Sequence, residues 1–183
     1  KRKEFKKSLK EFKELKEWLP SFPKVNFSMA KGYLAAGNFK KAREFAEEEM
    51  KLNPTSEFGF IMAGKIFSKE REKTKDKNKI LNFARKSIGF YEKALRLNPR
   101  SVEALIGLGK IKLGQGKFNE AVDLYKRANN EDLSNASIYK LLGEAYTARG
   151  ELGFAIESYK NYLEVNKLAP DKQKIQDIIK RLK

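Results

Sequence analysis

The sequence predicts an all-α fold in which pairs of helices repeat along the chain. Three observations lead to this prediction: small residues recur at a fixed spacing, apolar residues recur three and four positions apart, and glycine or proline separates the segments. The 183 residues are enough for one compact domain or a short repeat array, and a hydrophobic share of 40% is enough for a buried core.

The repeat period is 34 residues. Two series of small residues carry it: Ala30, Gly64, Gly109 and Gly143, and Ala42, Ser87, Ala121 and Ala155. The gaps are 34, 45 and 34 residues in the first series and 45, 34 and 34 in the second. A single insertion of 11 residues between Gly64 and Ser87 accounts for both longer gaps. Repeats of this length are built from helix pairs that stack to bury a shared core.

The pattern within each repeat resembles that of the tetratricopeptide repeat (TPR) family, which places Leu-Gly and Tyr in the first helix, Ala and an aromatic residue in the second, and Pro after it. The fourth repeat carries the fullest set: Tyr139, Leu142, Gly143, Tyr146, Ala155 and Tyr159. The first repeat is the weakest, because Asn26 and Ala46 stand where large residues are usual. The resemblance covers residues 23–169 and implies a right-handed α-solenoid of about four helix-turn-helix repeats with flanking N- and C-terminal helices.

The predicted organisation has three parts. Residues 1–22 form a basic amphipathic helix, residues 23–169 hold the four repeats, and residues 170–183 form a capping helix. The repeats span residues 23–56, 57–101, 102–135 and 136–169, and the insertion lies around residues 68–79 of the second. The insertion contains no apolar residue, so it is either a helix that continues into solvent or a mobile loop.

The two terminal helices each carry an apolar stripe. In the first, the stripe comprises Phe5, Leu9, Phe12, Leu15, Trp18 and Leu19. A basic helix of this kind binds a membrane surface or an acidic partner, or else it packs on the first repeat, which needs a cover for its apolar flank. We favour the second interpretation. The C-terminal stripe of Ile175, Ile178, Ile179 and Leu182 indicates a cap.

Composition excludes several kinds of chemistry. The chain has no Cys and no His, which rules out disulfides, zinc sites built on those ligands, and Ser-His or Cys-His nucleophiles. It has no glycine-rich phosphate-binding loop. The three consecutive glutamates at 47–49 point in different directions on a helix, so we expect them to be solvated. We therefore predict a protein that is not an enzyme and needs no cofactor or metal.

Localisation and partner class follow less directly. No run of about 18 apolar residues and no secretory signal is visible, so we expect a cytoplasmic protein. The first residue is Lys1 and not Met, which leaves open a fragment, a processed form, or the soluble part of an anchored protein. The formal charge of +16 attracts anions. Because we expect the basic residues to be spread over the ends, the insertion and the convex face, nucleic-acid binding should be weak.

The resemblance also implies a binding groove. In TPR proteins the residue after the small position of each first helix, and the residue four positions earlier, line the concave surface. In this sequence the two sets are Lys31, Lys65, Lys110 and Glu144, and Phe27, Ile61, Ile106 and Lys140. They predict a ladder of lysines beside an apolar strip, closed by a Lys140–Glu144 pair. Lysines in a row repel one another, so we expect a partner segment with acidic and apolar side chains in alternation.

These observations lead to one main functional prediction and two alternatives. The main prediction is a non-catalytic protein-protein interaction scaffold that holds a peptide or helix in the concave groove. One alternative is a basic module that binds RNA or another anionic polymer. The other is the soluble part of a membrane-associated assembly factor. Homo-oligomerisation stays open.

Overall fold

The computed structural model describes residues 10–12, 14–15, 17–18 and 24–183, and within these residues it contains helices and turns but no strand. The chain divides into two compact units, Lys1–Pro99 (unit 1) and Arg100–Lys183 (unit 2). The all-α fold of successive helix pairs is therefore confirmed. No helix in the described part of the chain is both long enough and apolar enough to cross a membrane.

Unit 1 contains two helix pairs. Its helices are α1 (Val25–Ala35), α2 (Phe39–Leu52), α3 (Phe58–Lys73) and α4 (Lys77–Leu97). Helices α1 and α2 pack on each other, as do α3 and α4, and α2 also packs on α3. One hydrophobic core cluster of this unit comprises Val25, Met29, Ala30, Tyr33, Ala42, Ala46, Met62 and Ile66. Four of its members come from α1 at spacings of four, one and three residues, which is the spacing of one helical face.

The 11 extra residues of the second pair lengthen both of its helices. Helix α3 runs to Lys73, and α4 starts at Lys77 and extends for 21 residues. Asp76 caps α4, since its side chain accepts hydrogen bonds from the backbone N–H of Asn78 at 2.9 Å and of Lys79 at 3.2 Å. Residues 68–73 of the insertion therefore continue α3, residues 74–76 connect the two helices, and residues 77–79 begin α4.

Unit 2 contains two further pairs and a final helix. Its helices are α5 (Val102–Gly114), α6 (Phe118–Glu131), α7 (Ala136–Arg149), α8 (Leu152–Val165) and α9 (Lys172–Arg181). Helix α5 packs on α6 and α7 packs on α8, and α6 also packs on α7. Helix α9 packs on α8 and buries Ile175 and Ile179, so it covers apolar surface that α8 would otherwise expose.

A glycine faces a tyrosine ring in each of the last three pairs. A Cβ placed on the glycine would lie 2.8 Å from the Tyr91 ring at Gly64, 2.4 Å from Tyr125 at Gly109, and 2.6 Å from Tyr159 at Gly143. Real Cβ atoms do not approach other atoms this closely, so no larger residue fits without moving the ring. The small residues of the repeat therefore make room for an aromatic side chain of the paired helix.

Glu49 was expected to be solvated, and this prediction is wrong. Only 1% of Glu49 is exposed, and its Oε1 accepts a hydrogen bond from Asn53 Nδ2 at 3.0 Å. The reason lies in helical spacing: Ala42, Ala46 and Glu49 are four and three residues apart, so they share the buried face of α2. Glu47, on another face of the helix, is exposed as expected.

Two described residues of the N-terminal helix pack against the core cluster of unit 1. Phe12 and Leu15 are partly buried and pack against the core cluster, whereas Trp18 is 84% exposed. These contacts favour a helix that covers the first pair. The remaining predicted stripe residues, Phe5, Leu9 and Leu19, lie outside the described residues.

Candidate functional site

The eight predicted groove residues divide equally between the two units. Unit 1 holds Phe27, Lys31, Ile61 and Lys65, and unit 2 holds Ile106, Lys110, Lys140 and Glu144. Each unit is therefore a candidate surface in its own right.

In unit 1, lysines lie over two neighbouring phenylalanine rings. The rings of Phe27 and Phe58 have centroids 5.4 Å apart and are tilted by 59°. Lys65 Nζ lies 6.0 Å from the Phe27 centroid, and Lys24 Nζ lies 4.4 Å from the Phe58 centroid. The negative face of an aromatic ring attracts a cation at such distances. Lys31 is exposed. This part of unit 1 therefore combines half-buried rings with positive charge.

Ile61 does not contribute to an exposed surface. Only 1% of the residue is exposed, and α3, which carries it, packs against α1, α2 and α4. The position four residues before Lys65 thus belongs to the core of unit 1, which corrects the predicted apolar strip at this point.

In unit 2, residues of α5 and α7 form a concavity of about 360 Å³. Its lining consists of Lys110, Leu113, Ser137, Lys140, Leu141 and Glu144. Three of the four predicted residues of this unit come together there. Ile106 is half-buried and does not line the concavity. Helical spacing could have identified the three residues that were missed, because each lies three positions from a predicted one: Leu113, Ser137 and Leu141.

Lys140 forms a salt bridge with Asp171, and not the predicted pair with Glu144. Lys140 Nζ lies 2.5 Å from Asp171 Oδ2, and the Tyr162 hydroxyl donates to Asp171 Oδ1 at 2.5 Å. The hydrogen bond from Lys140, followed by that from Tyr162, lowers the pKa of Asp171. The same bond raises the pKa of Lys140. Asp171 reaches this position because it precedes α9, which packs on α8.

The ion pair changes the charge that the concavity presents. The charge of Lys140 is largely compensated by Asp171, whereas Lys110 and Glu144 are exposed and form no salt bridge within the described residues. Leu113 and Leu141 add apolar contact area. The concavity can therefore hold an apolar side chain of a partner beside two groups of this protein, the carboxylate of Glu144 and the ammonium donor of Lys110. Within the same residues, no three acidic side chains cluster in a way that could hold a metal ion.

Comparisons with known proteins agree with this architecture. The tetratricopeptide repeat family matches residues 85–145. Anaphase-promoting complex subunit 7 of Arabidopsis thaliana is 28% identical over 137 residues, which is 73% of this chain and 22% of that protein. The chain thus spans about a fifth of the length of this relative.

Two solved structures share the fold. TTC0263, a thermophilic TPR protein of Thermus thermophilus, superposes with a TM-score of 0.81 at 19% identity, over 97% of this chain and 90% of that one. YrrB, described as a TPR protein with an unusual peptide-binding site, gives a TM-score of 0.63 at 17% identity, over 97% and 84% of the two chains. At these identities the likeness concerns the fold alone.

Proposed function

Because this chain is a tetratricopeptide repeat protein, we propose that it is a non-catalytic scaffold that binds a peptide or helix of a partner protein. The observation that carries the proposal is the concavity of unit 2, where two leucines lie beside the exposed charges of Lys110 and Glu144. YrrB, which shares the fold, is described as having a peptide-binding site, and this supports the proposal.

The lining residues suggest the chemistry of the partner segment. An apolar side chain would contact Leu113 and Leu141, and a carboxylate would pair with Lys110. A hydrogen-bond donor or a basic group would face Glu144. The proposed partner segment is therefore acidic and apolar with at least one donor. In unit 1, the exposed Lys31 and Lys65, whose Nζ lies over the Phe27 ring, are candidates for a separate contact to acidic residues.

Peptide selection followed by a charge-reversal variant tests this proposal. Phage-displayed peptides are selected on the wild-type protein, and their affinity is measured by isothermal titration calorimetry. We expect selected peptides to combine acidic and apolar residues. The Lys65→Glu, Lys110→Glu double variant should weaken their binding by at least about tenfold, as loss of a charge partner in an interface does.

The control changes the same amount of charge elsewhere. Lys126→Glu with Lys160→Glu reverses two exposed lysines on α6 and α8 that do not line the concavity. This variant should bind the selected peptides as the wild type does. Equal peptide affinity of both double variants and the wild type would contradict the proposed binding site. Selection of peptides without acidic residues would contradict it as well.

The RNA-binding alternative rests on the formal charge of +16. Affinity for RNA should fall steeply as the salt concentration rises, because binding releases counterions from the phosphates. Affinity for an apolar peptide segment should depend much less on salt. A pull-down from native extract with nuclease treatment, followed by mass spectrometry, separates a protein partner from one bridged by RNA.

We also propose a cytoplasmic location. Fractionation of the native cells followed by immunoblotting tests it. Recovery of the protein in the membrane fraction would instead favour a role as part of a membrane-associated assembly factor.

A further inference from the structure

Helix α4 carries a ring of four cations around a glycine. Arg85, Lys86, Lys93 and Arg96 are exposed, and together with Gly89, Phe90 and Glu92 they line a concavity of about 280 Å³. We call this group of seven residues the α4 notch. Glu92 is its single acidic member, so the notch has a clear excess of positive charge.

None of the four cations is neutralised within the described residues, since no salt bridge joins any of them to an acidic side chain. Lys86 Nζ lies 5.2 Å from the Phe67 ring centroid, and Lys93 Nζ lies 6.0 Å from that of Phe60. These contacts orient two of the ammonium groups without cancelling their charge. Like charges one or two helical turns apart repel, and acidic groups of a partner would relieve this repulsion.

Gly89 lines the notch without a side chain to fill it. A Cβ built on Gly89 would meet no heavy atom within 4 Å, so nothing in the structure requires glycine at this position. Glycine is among the least favourable residues in a helix interior, yet it lies here in the middle of the 21-residue α4. Its absent side chain leaves open space among the lining residues, which include the half-buried Phe90, and a second backbone can approach closely at such a point.

We propose that the α4 notch binds an acidic amphipathic helix of a partner protein, which crosses α4 at Gly89. One large apolar side chain of the partner enters the notch and contacts Phe90. Carboxylates one turn before and after that side chain pair with Arg85 and Lys86 on one side and with Lys93 and Arg96 on the other. This surface is separate from the residues proposed for groove binding, and the inference does not depend on them.

The geometry favours a protein helix over RNA. Base recognition by such a surface would need an open aromatic face for stacking. The Phe90 ring is already stacked on Phe67, with centroids 5.7 Å apart and ring planes within 6°. One face of Phe90 is therefore covered, and no other aromatic residue lines the notch.

The geometry also argues against insertion into a membrane. The large apolar side chains that α4 exposes are Leu81 and Leu97, which are 64% and 41% exposed and lie on either side of the notch. Between them the exposed face carries the four cations and Glu92. An interfacial helix needs a continuous apolar face, which α4 lacks here.

The first test uses a synthetic probe of the proposed chemistry. The probe is a lactam-stapled helical peptide with one central Leu and Glu residues three and four positions to either side, labelled with fluorescein. Its binding to the full chain is followed by fluorescence anisotropy. We expect saturable binding that weakens by at least about tenfold when the central Leu is changed to Ala, because the notch then loses its apolar contact.

Two glycine variants make a matched pair. Gly89→Glu places a carboxylate in the notch, whereas Gly153→Glu places one on the exposed start of α8, where a Cβ also meets nothing within 4 Å. Both changes lower the net charge by the same amount, and Glu suits a helix better than Gly. We expect Gly89→Glu to weaken probe binding by at least about tenfold and Gly153→Glu to leave it within about twofold.

The outcomes separate the alternatives. Failure of the probe to bind the wild type, or equal weakening by the two glycine variants, overturns the proposal. Poly(U) RNA and phosphatidylserine vesicles are tested in parallel. Loss of either interaction in Gly89→Glu alone, with probe binding unchanged, would assign the notch to that anion instead. The Lys65→Glu, Lys110→Glu variant should bind the probe normally, so a failure of the groove proposal is distinguishable from a failure of this one.

Discussion

The first helix pair and the three later pairs fill the same repeat positions in different ways. In the later pairs, a glycine of the first helix meets a tyrosine ring of the second. In α1 and α2 the corresponding residues are Ala30 and Ala46, both of which are buried. The same pair buries Asn26 and Glu49, and within the described residues Asn26 Oδ1 and Glu49 Oε2 lack a hydrogen-bond partner. The period thus sets which positions face each other, while the packing that fills them is decided locally.

The largest expected effect tests the glycine-tyrosine contact. Gly109→Leu should destabilise the chain by about 3 kcal/mol, because the side chain would have to displace the buried Tyr125 ring. Urea unfolding followed by circular dichroism measures the change. Gly153→Leu is the control, since open space surrounds that position and the substitution should cost nothing. Equal stability of Gly109→Leu and the wild type would show that the contact does not fix the pair.

A double-mutant cycle asks whether the first pair can be converted to the packing of the others. Ala46→Tyr alone should cost about 2 kcal/mol, because its ring would meet the Cβ of Ala30 and the surrounding core. Adding Ala30→Gly should recover at least about 1 kcal/mol if the two positions couple as they do in the later pairs. Additive effects in thermal unfolding would mean that the first pair has a different geometry.

The buried carboxylate of the first pair should be dispensable for stability. Glu49→Leu replaces a side chain whose Oε2 has no partner with an apolar one of similar size, and we expect a gain of about 1 kcal/mol. Because Asn53 loses its acceptor, Asn53→Ala in the same background should add little further change. A clear loss of stability in Glu49→Leu would indicate that the carboxylate organises the pair.

The carboxylate of Asp171 offers the opposite case, since both of its oxygens accept hydrogen bonds. Its pKa is lowered below the ordinary value of 3.8 by Lys140 and then by Tyr162, so ionised Asp171 stabilises the folded state at pH values above that figure. This contribution should disappear as the pH falls through the lowered pKa. In Asp171→Asn, stability measured between about pH 5 and pH 2 should change less steeply than in the wild type. Parallel pH profiles would contradict the role of the pair.

The sequence predicts a structural feature well when that feature depends on residues a fixed, short distance apart along the chain. The 34-residue period predicts the helix pairs because it reflects repeated contacts between neighbouring helices. Helical spacing from Ala42 and Ala46 would also have placed Glu49 on the buried face of α2. The prediction that Glu49 is solvated rested on its charge and not on this spacing. Lys140 and Asp171 are 31 residues apart, so no short-range pattern connects them. Ile61 is buried on α3, a helix that packs against three others, so its burial likewise arises from tertiary contacts.

The lengthened second pair has a consequence for protein engineering. Because the extra residues extend α3 and α4 together, residues 74–76 form a turn well beyond the glycine-tyrosine contact of this pair. Lys75 and Asp76 in that turn are exposed. Exposed polar turns accept inserted sequence with little disturbance. An epitope tag or a fluorescent reporter spliced in at this turn would leave both chain ends unmodified and give a handle for recovering bound partners.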